Sequence, residues 1–337
     1  MNADRRFDWG EMSMMQAQRP DDGARLRLIT AADVALGVSE MGHAVLARVV
    51  RPAAADRLAD PLAKFATRIR PAKRRWLTQL YRDMLGKHAP FMPEAEVYVP
   101  SLIATLLRQR MIYSRLAVDP AWRPNVFVEG ATAVEAARRD GRGIVLWMLP
   151  QEVTALVMRM VCHDRGWGLH HLSHWHHGQS VSRLGIATFN RRDRRIEDRL
   201  GSRLMLTETD TTTALSQADR ILGDGGTVGF RGIGWAQRPI YYPLFDGSMH
   251  LGLGAPVIAR RSGAALFIVS TVQTDDGYCL WFDPIANNRE RPLDEVGQDF
   301  AARLERAVVA APFLWSVTSR QWAPGAPPVP FGKRQRV

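Results

Sequence analysis

Gly141-Arg142-Gly143-Ile144-Val145-Leu146-Trp147-Met148-Leu149-Pro150 is the stretch on which the fold turns. Six consecutive apolar residues follow a glycine-flanked turn and stop at a proline. That is the length and unbroken hydrophobicity of a strand buried on both faces, as in parallel sheets. Upstream, Val126–Glu129 reads as a short strand and Ala131–Arg139 as a helix. Downstream, residues 152–161 read as a helix, and Asp210 caps another that runs to Leu222. Gly225-Gly226 ends that helix before a strand at 227–230. Residues 264–272 form a further buried strand, which Asp276-Gly277 turns back into 278–283. Alternating strands and helices with one hairpin predict an α/β fold with a mixed central sheet flanked by helices. A last helix, Leu293–Ala310, precedes a proline-rich segment from 324 to 330.

Before residue 121 the texture is helical. Between 33 and 50, apolar residues fall at Val34, Leu36, Val38, Met41, Val45, Leu46 and Val49, close to a 3.6-residue period. Residues 76–85 and 101–112 repeat the pattern, with Pro100-Ser101 as a start signal. The chain thus divides into a flexible arm at 1–20, a helical region at 21–120, an α/β core at 121–322 and a proline-rich basic tail at 323–337. No internal repeat is evident.

The 337 residues are 46% hydrophobic and 23% charged, which excludes wholesale disorder. Two cysteines, Cys162 and Cys279, exclude a disulfide scaffold and a cysteine-based zinc ribbon. Lys and Arg number 45 against 34 Asp and Glu, for a net charge of +11, which favours polyanionic partners. The longest apolar stretch, 28–50, is interrupted by Asp33, Glu40, His43 and Arg48, so it does not read as a spanning helix. With no apolar leader at the start, a cytoplasmic location is expected, with peripheral attachment to the cytoplasmic membrane face left open. Gly229-Phe230-Arg231-Gly232-Ile233-Gly234 lacks the dinucleotide fingerprint, and no cofactor is expected. Ten tryptophans spread from Trp9 to Trp322 match no nucleic-acid module, which makes nucleic-acid binding the weakest reading.

Several segments together resemble the lipid A lauroyl/myristoyl acyltransferases. Gly141-Arg142-Gly143-Ile144-Val145-Leu146 resembles the strand before that family's catalytic motif, and Leu222-Gly223-Asp224-Gly225-Gly226-Thr227-Val228 its helix–glycine–strand step. Pro243-Leu244-Phe245-Asp246-Gly247 is similar to its Pro-x-Phe-x-Gly segment. The stretch from Gly254 to Ala264 resembles the helix and small-residue turn that follow. Gly277-Tyr278 and Pro284 resemble its closing hairpin, and Trp315 with Arg320 its terminal segment. The resemblance spans about residues 120–322 and implies transfer of an acyl chain from an acyl carrier protein thioester to a hydroxyl, through a His-x4-Asp/Glu dyad. There the His takes the acceptor's proton and the carboxylate orients it. The register puts Pro150 at the His position and Ala155 at the carboxylate position, and none of the nine histidines has Asp or Glu five residues on. The family's Pro-Asp-Gln-like triplet is replaced by Arg231-Gly232-Ile233.

His170-His171-Leu172-Ser173-His174-Trp175-His176-His177 holds five of the nine histidines, at the same predicted sheet edge. Three readings stand side by side: a replacement base (His171 or His174, oriented by Glu152), a metal site (His174, His176 and His177) and a polar loop. Arg191, Arg192 and Arg195, in the densest basic run, suit phosphate recognition, against a plain solvated helix face. Arg231, Phe245 and Gly247 complete the substrate-binding candidates. The leading expectation is a divergent acyltransferase-like protein that takes an acyl chain from a carrier protein and transfers it to a hydroxyl or amine of a polar or phosphorylated acceptor. The alternative is a non-catalytic paralogue that binds an acyl chain or carrier, or scaffolds an enzyme.

Overall fold

The computed structural model describes residues 26–86, 95–174, 178–206, 212–232, 240–315 and 322–325. Four helices come first: α1 (Ala31–Val49), α2 (Pro52–Ile69), α3 (Pro71–Leu85) and α4 (Ala95–Val118). α1 opens on a capping box, in which the Asp33 N–H donates to Thr30 Oγ1 and the Thr30 N–H donates to the Asp33 carboxylate. Such a cap contributes about 1 kcal/mol. Pro52 and Pro71 open α2 and α3, where a missing N–H is not needed. Pro100 does not start a helix, as its sequence context predicts, but lies inside α4. The lost hydrogen bond falls near the start of a 24-residue helix packed at both ends. Tyr98, Val99 and Leu102 join one side of the core, and Ile112, Tyr113 and Leu116 join the other.

The α/β core follows in strict alternation: β1 (Val126–Glu129), α5 (Ala131–Arg139), β2 (Ile144–Met148), α6 (Thr154–Asp164) and β3 (Leu169–His174). A short turn, α7 (Arg183–Gly185), continues through a π-helical turn at Ile186–Asn190 into α8 (Arg191–Leu200). Then come β4 (Ser202–Leu206), α9 (Thr212–Gly223), β5 (Thr227–Arg231), β6 (Ile240–Leu244), β7 (Gly247–Leu251) and α10 (Gly254–Ser262). The hairpin of β8 (Ala265–Thr274) and β9 (Gly277–Pro284), helix α11 (Leu293–Ala310) and β10 (Trp322–Pro324) complete the order.

Seven strands form one mixed sheet in the order β1-β9-β8-β2-β5-β3-β4, and β10-β7-β6 form a small second sheet. β2 lies between β5 and β8, parallel to both, and β8 and β9 make the antiparallel hairpin. The sheet is therefore mixed and flanked by helices, and the four N-terminal helices stand before it. Alternation along β2 builds both halves of the core. Val145, Trp147 and Leu149 pack with α10, α11 and the small sheet, while Ile144, Leu146 and Met148 pack with α5 and α6. All six are 5% exposed or less, and burying each large side chain contributes about 1.5–3 kcal/mol. Gly143 at the entry to β2 lies against the Leu222 carbonyl of α9, where a Cβ would overlap it. Among the described residues no helix is long and apolar enough to cross a membrane.

Candidate functional site

Ligand sites in such sheets lie beyond the carboxyl ends of the strands, so the end of β2 comes first. Its Leu149 N–H donates to Val269 O at 2.8 Å. Pro150 has no N–H to offer, and the side chain of Gln151 takes over the ladder. Gln151 Nε2 donates to Thr271 O, and the Thr271 N–H donates to Gln151 Oε1, both at 2.9 Å. A side-chain amide thus copies one backbone rung. Gln151 also forms an antiparallel bridge with Trp315, and the Glu152 N–H donates to Leu314 O at 2.8 Å. Gln151, Val153, Thr154, Leu314 and Trp315 are all 3% exposed or less.

Beneath this closure Trp147 stacks on Phe300, with ring centroids 4.2 Å apart. The Gly232 N–H donates to Met148 O at 2.8 Å, and a Cβ at Gly232 would overlap the Phe300 ring. That glycine is what lets α11 settle over the strand end. Pro150 and Ala155, where the resemblance would put a dyad, therefore sit in packed structure without an ionisable group. The indole N–H groups of Trp147 and Trp315 are buried there without an acceptor among the described residues.

Glu152 and His171, read together from sequence as an orienting carboxylate and a base, are not brought together. Glu152 is half-buried, and its charge adds to burial in raising the Tyr81 phenol above its ordinary range. Tyr81, on α3, belongs to the Phe300 side of the core. His171 faces the other way, toward α6 and α8. The reason is that residues 170–174 are not a loop but most of β3, so alternate side chains point into the molecule. His171 is 1% exposed; Arg159 Nε lies 3.5 Å from its Nδ1, and Glu197 Oε2 lies 4.0 Å from its Nε2.

His171 ends a buried band of charge. Glu197 accepts from Tyr113 Oη at 2.6 Å and pairs with Arg159 at 3.3 Å. One turn earlier on α8, Asp193 pairs with Arg110 of α4 at 2.7 Å. Arg110 also reaches Glu40 of α1, which Arg192 of α8 pairs from the other side while donating to Ser114 at 3.1 Å. Glu40, Asp193 and Glu197 thus balance Arg110, Arg159 and Arg192, tying α1, α4, α6 and α8 together. Burial opposes the Arg110 charge, yet Asp193 and Glu40 overcome it and raise its pKa. Burial and the Glu197 carboxylate hold Tyr113 well above its ordinary range. The band holds helices in place, and it encloses His171.

The predicted substrate-binding set divides. Arg192 is half-buried: one residue's rotation from Arg191 turns it onto Glu40, with which it forms an ion pair. Arg191 and Arg195 are exposed on one face of α8 with Arg199, and none of the three has an ion pair among the described residues. Beside them, Arg194 and Arg203 line a cleft of about 460 Å³ with Asp198 and Ser202. Burial depresses the Arg194 pKa, and the neighbouring Arg203 and Arg191 guanidiniums add to the effect. Asp198, which pairs with Arg203 in the same cleft, opposes it. Arg231 stands exposed at the end of β5. Phe245, with φ of 53°, and Gly247 belong to the β6–β7 turn, where Asp246 approaches Gly86 after α3. They serve the small sheet and do not extend the α8 face.

Among the described residues no group of three or more His, Cys, Asp or Glu could hold a metal ion. The backbone of His174 ends β3, while its side chain, and His176 and His177, lie outside the described residues. Sequence reading also passed over Gln151 and the charge band. The band had a signal in Glu40 and Arg110, each a charge within a predominantly apolar helical segment. No protein-family model matches the chain, and a search of curated proteins finds no match.

Proposed function

We propose that this chain is a non-catalytic, acyltransferase-like protein that binds an acidic acyl carrier protein through the arginine face of α8. The closure of the β2 end carries the reading. Acyl transfer to a hydroxyl or amine needs a group to take the acceptor's proton. In the register where the resembled family keeps its His and carboxylate, this chain has Pro150 and Ala155. The Gln151–Thr271 rung, Trp315 and Phe300 fill the surroundings. His171 is enclosed by Arg159 and Glu197. With Trp147 stacked on Phe300, the acyl chain stays with its carrier. What faces outward is a row of guanidiniums suited to carboxylates.

The test is to incubate the protein with a long-chain acyl carrier protein and candidate acceptors. Carrier binding without acyl transfer is expected. Arg191→Glu, Arg195→Glu and Arg199→Glu together should weaken binding by roughly ten-fold or more, since they reverse the charge that complements the carrier. Turnover in the wild type, or binding indifferent to the triple substitution, would defeat the reading.

A further inference from the structure

α1 is built inside out. Its buried residues are Asp33, Glu40, His43 and Ala47. At about 100° per residue, Val34, Val38, Met41, Val45 and Val49 run along the opposite side, each 57% exposed or more. Arg48 is the charged residue among the exposed positions of α1. α2 shows a related inversion. Ala55, Ala59, Ala63 and Thr67 are buried, Ala59 and Ala63 against Ala104 of α4 and Ala55 with Ala47 and Met111. The larger Leu58, Leu62, Phe65 and Ile69 are exposed at spacings of four, three and four residues, one face of the helix. Small side chains toward the neighbouring helix and large apolar ones away from it is an arrangement favoured where the surroundings are lipid.

Charge selects the occupant. Arg51, Arg57, Lys64 and Arg68 stand exposed beside these stripes. The acids of α1 turn inward, while Asp56 and Asp60 of α2 are exposed and are outnumbered by these cations. Asp33 is held by Thr30 and Ser180, Glu40 by Arg110 and Arg192, and Asp60 by Arg108, while Asp56 lies near Arg108 and Arg115. A second copy of a +11 chain would present the same cations and be repelled. An anionic bilayer surface meets both features, because apolar side chains enter the headgroup boundary while cations hold the phosphates. We infer that the outward faces of α1 and α2 dock this protein on an anionic lipid bilayer. The docking uses a different surface from the carrier-binding face of α8 and does not depend on it.

The experiment is co-sedimentation with vesicles of phosphatidylglycerol and phosphatidylcholine, and with phosphatidylcholine alone, beside the mass of the protein in solution. The wild type should pellet with the anionic vesicles and release as salt rises. Val38→Asp with Val45→Asp should weaken binding by roughly ten-fold or more, with an unchanged circular dichroism spectrum and with carrier binding retained. Val38→Ser with Val45→Ser should show a smaller loss. Equal pelleting of wild type and aspartate variant overturns the proposal. So does absence of pelleting, whether the protein is monomeric or forms a dimer that the aspartates dissociate.

Discussion

The end of β2 and the helix α1 handle polarity in opposite ways. At the strand end, polar groups meet polar groups over short range, a glutamine amide closes one backbone rung, and tryptophan and phenylalanine fill the rest. In α1 the acids point inward, Glu40 to guanidiniums on other helices and Asp33 to hydroxyls, and the larger apolar side chains point out. The first region resembles the interior of any stable domain. The second leaves apolar side chains in water. The difference separates a strand end that is packed shut from a helix face that stands open.

The largest test of that contrast is Arg110→Ala. It leaves Glu40 and Asp193 buried without their shared cation, and the expected loss is about 3–5 kcal/mol in urea unfolding. A loss below about 1 kcal/mol would mean that α1 is not held by its buried charges. At the strand end, Gln151→Ala orphans the Thr271 N–H and C=O, for an expected loss of about 1–3 kcal/mol. In the same place, Pro150→His with Ala155→Glu should produce no acyl transfer, because Trp315 and Phe300 still fill the site. Transfer by that double variant would show the closure to be superficial.

Acidity sharpens the comparison with a smaller effect. Burial depresses the His43 pKa below 6.5; Arg110 and Arg192 depress it further, while the Ser39 carbonyl and Glu40 oppose them. The unfolded chain therefore binds this proton more readily. The stability His43 contributes is complete above about pH 6.5 and declines as pH falls through that value toward the lower folded pKa. Amide exchange in residues 31–49 should rise on acidification, while exchange in β2 should not, and His43→Gln should flatten the rise. The smallest effect belongs to the outer face of α1. Val45→Asp should change stability in water by no more than about 0.5 kcal/mol, since that side chain leaves nothing behind.

Much of the fold was legible because its signals were local. The run from Ile144 to Leu149 could only be a buried strand, Asp276-Gly277 announced the β8–β9 turn, and the last helix fell at Leu293–Ala310. The apolar stripe of α1 was equally clear, but periodicity names a face without naming its neighbour. Which side is buried depended on Arg110 and Arg192, which are distant in sequence. The end of β3 read equally as a polar loop for a related reason, because His171 faces a charge band whose members are distant in sequence. That neither Pro150 nor Ala155 carries an ionisable group needed no structure to be seen. What filled the space beside them, Trp315 and Phe300, came from the far end of the chain.

One pairing reaches further than packing. β1 lies at the sheet's edge, and its neighbour in that sheet is β9. During synthesis the first strand of the core leaves the ribosome long before its partner exists, while the four preceding helices can already form from nearby contacts. The sheet then closes late, when the C-terminal hairpin arrives to be inserted between β1 and β2. Shortening the chain before β9 would strand an apolar half-sheet rather than yield a smaller domain. Recombinant fragments ending there should accumulate as aggregates, or on chaperones.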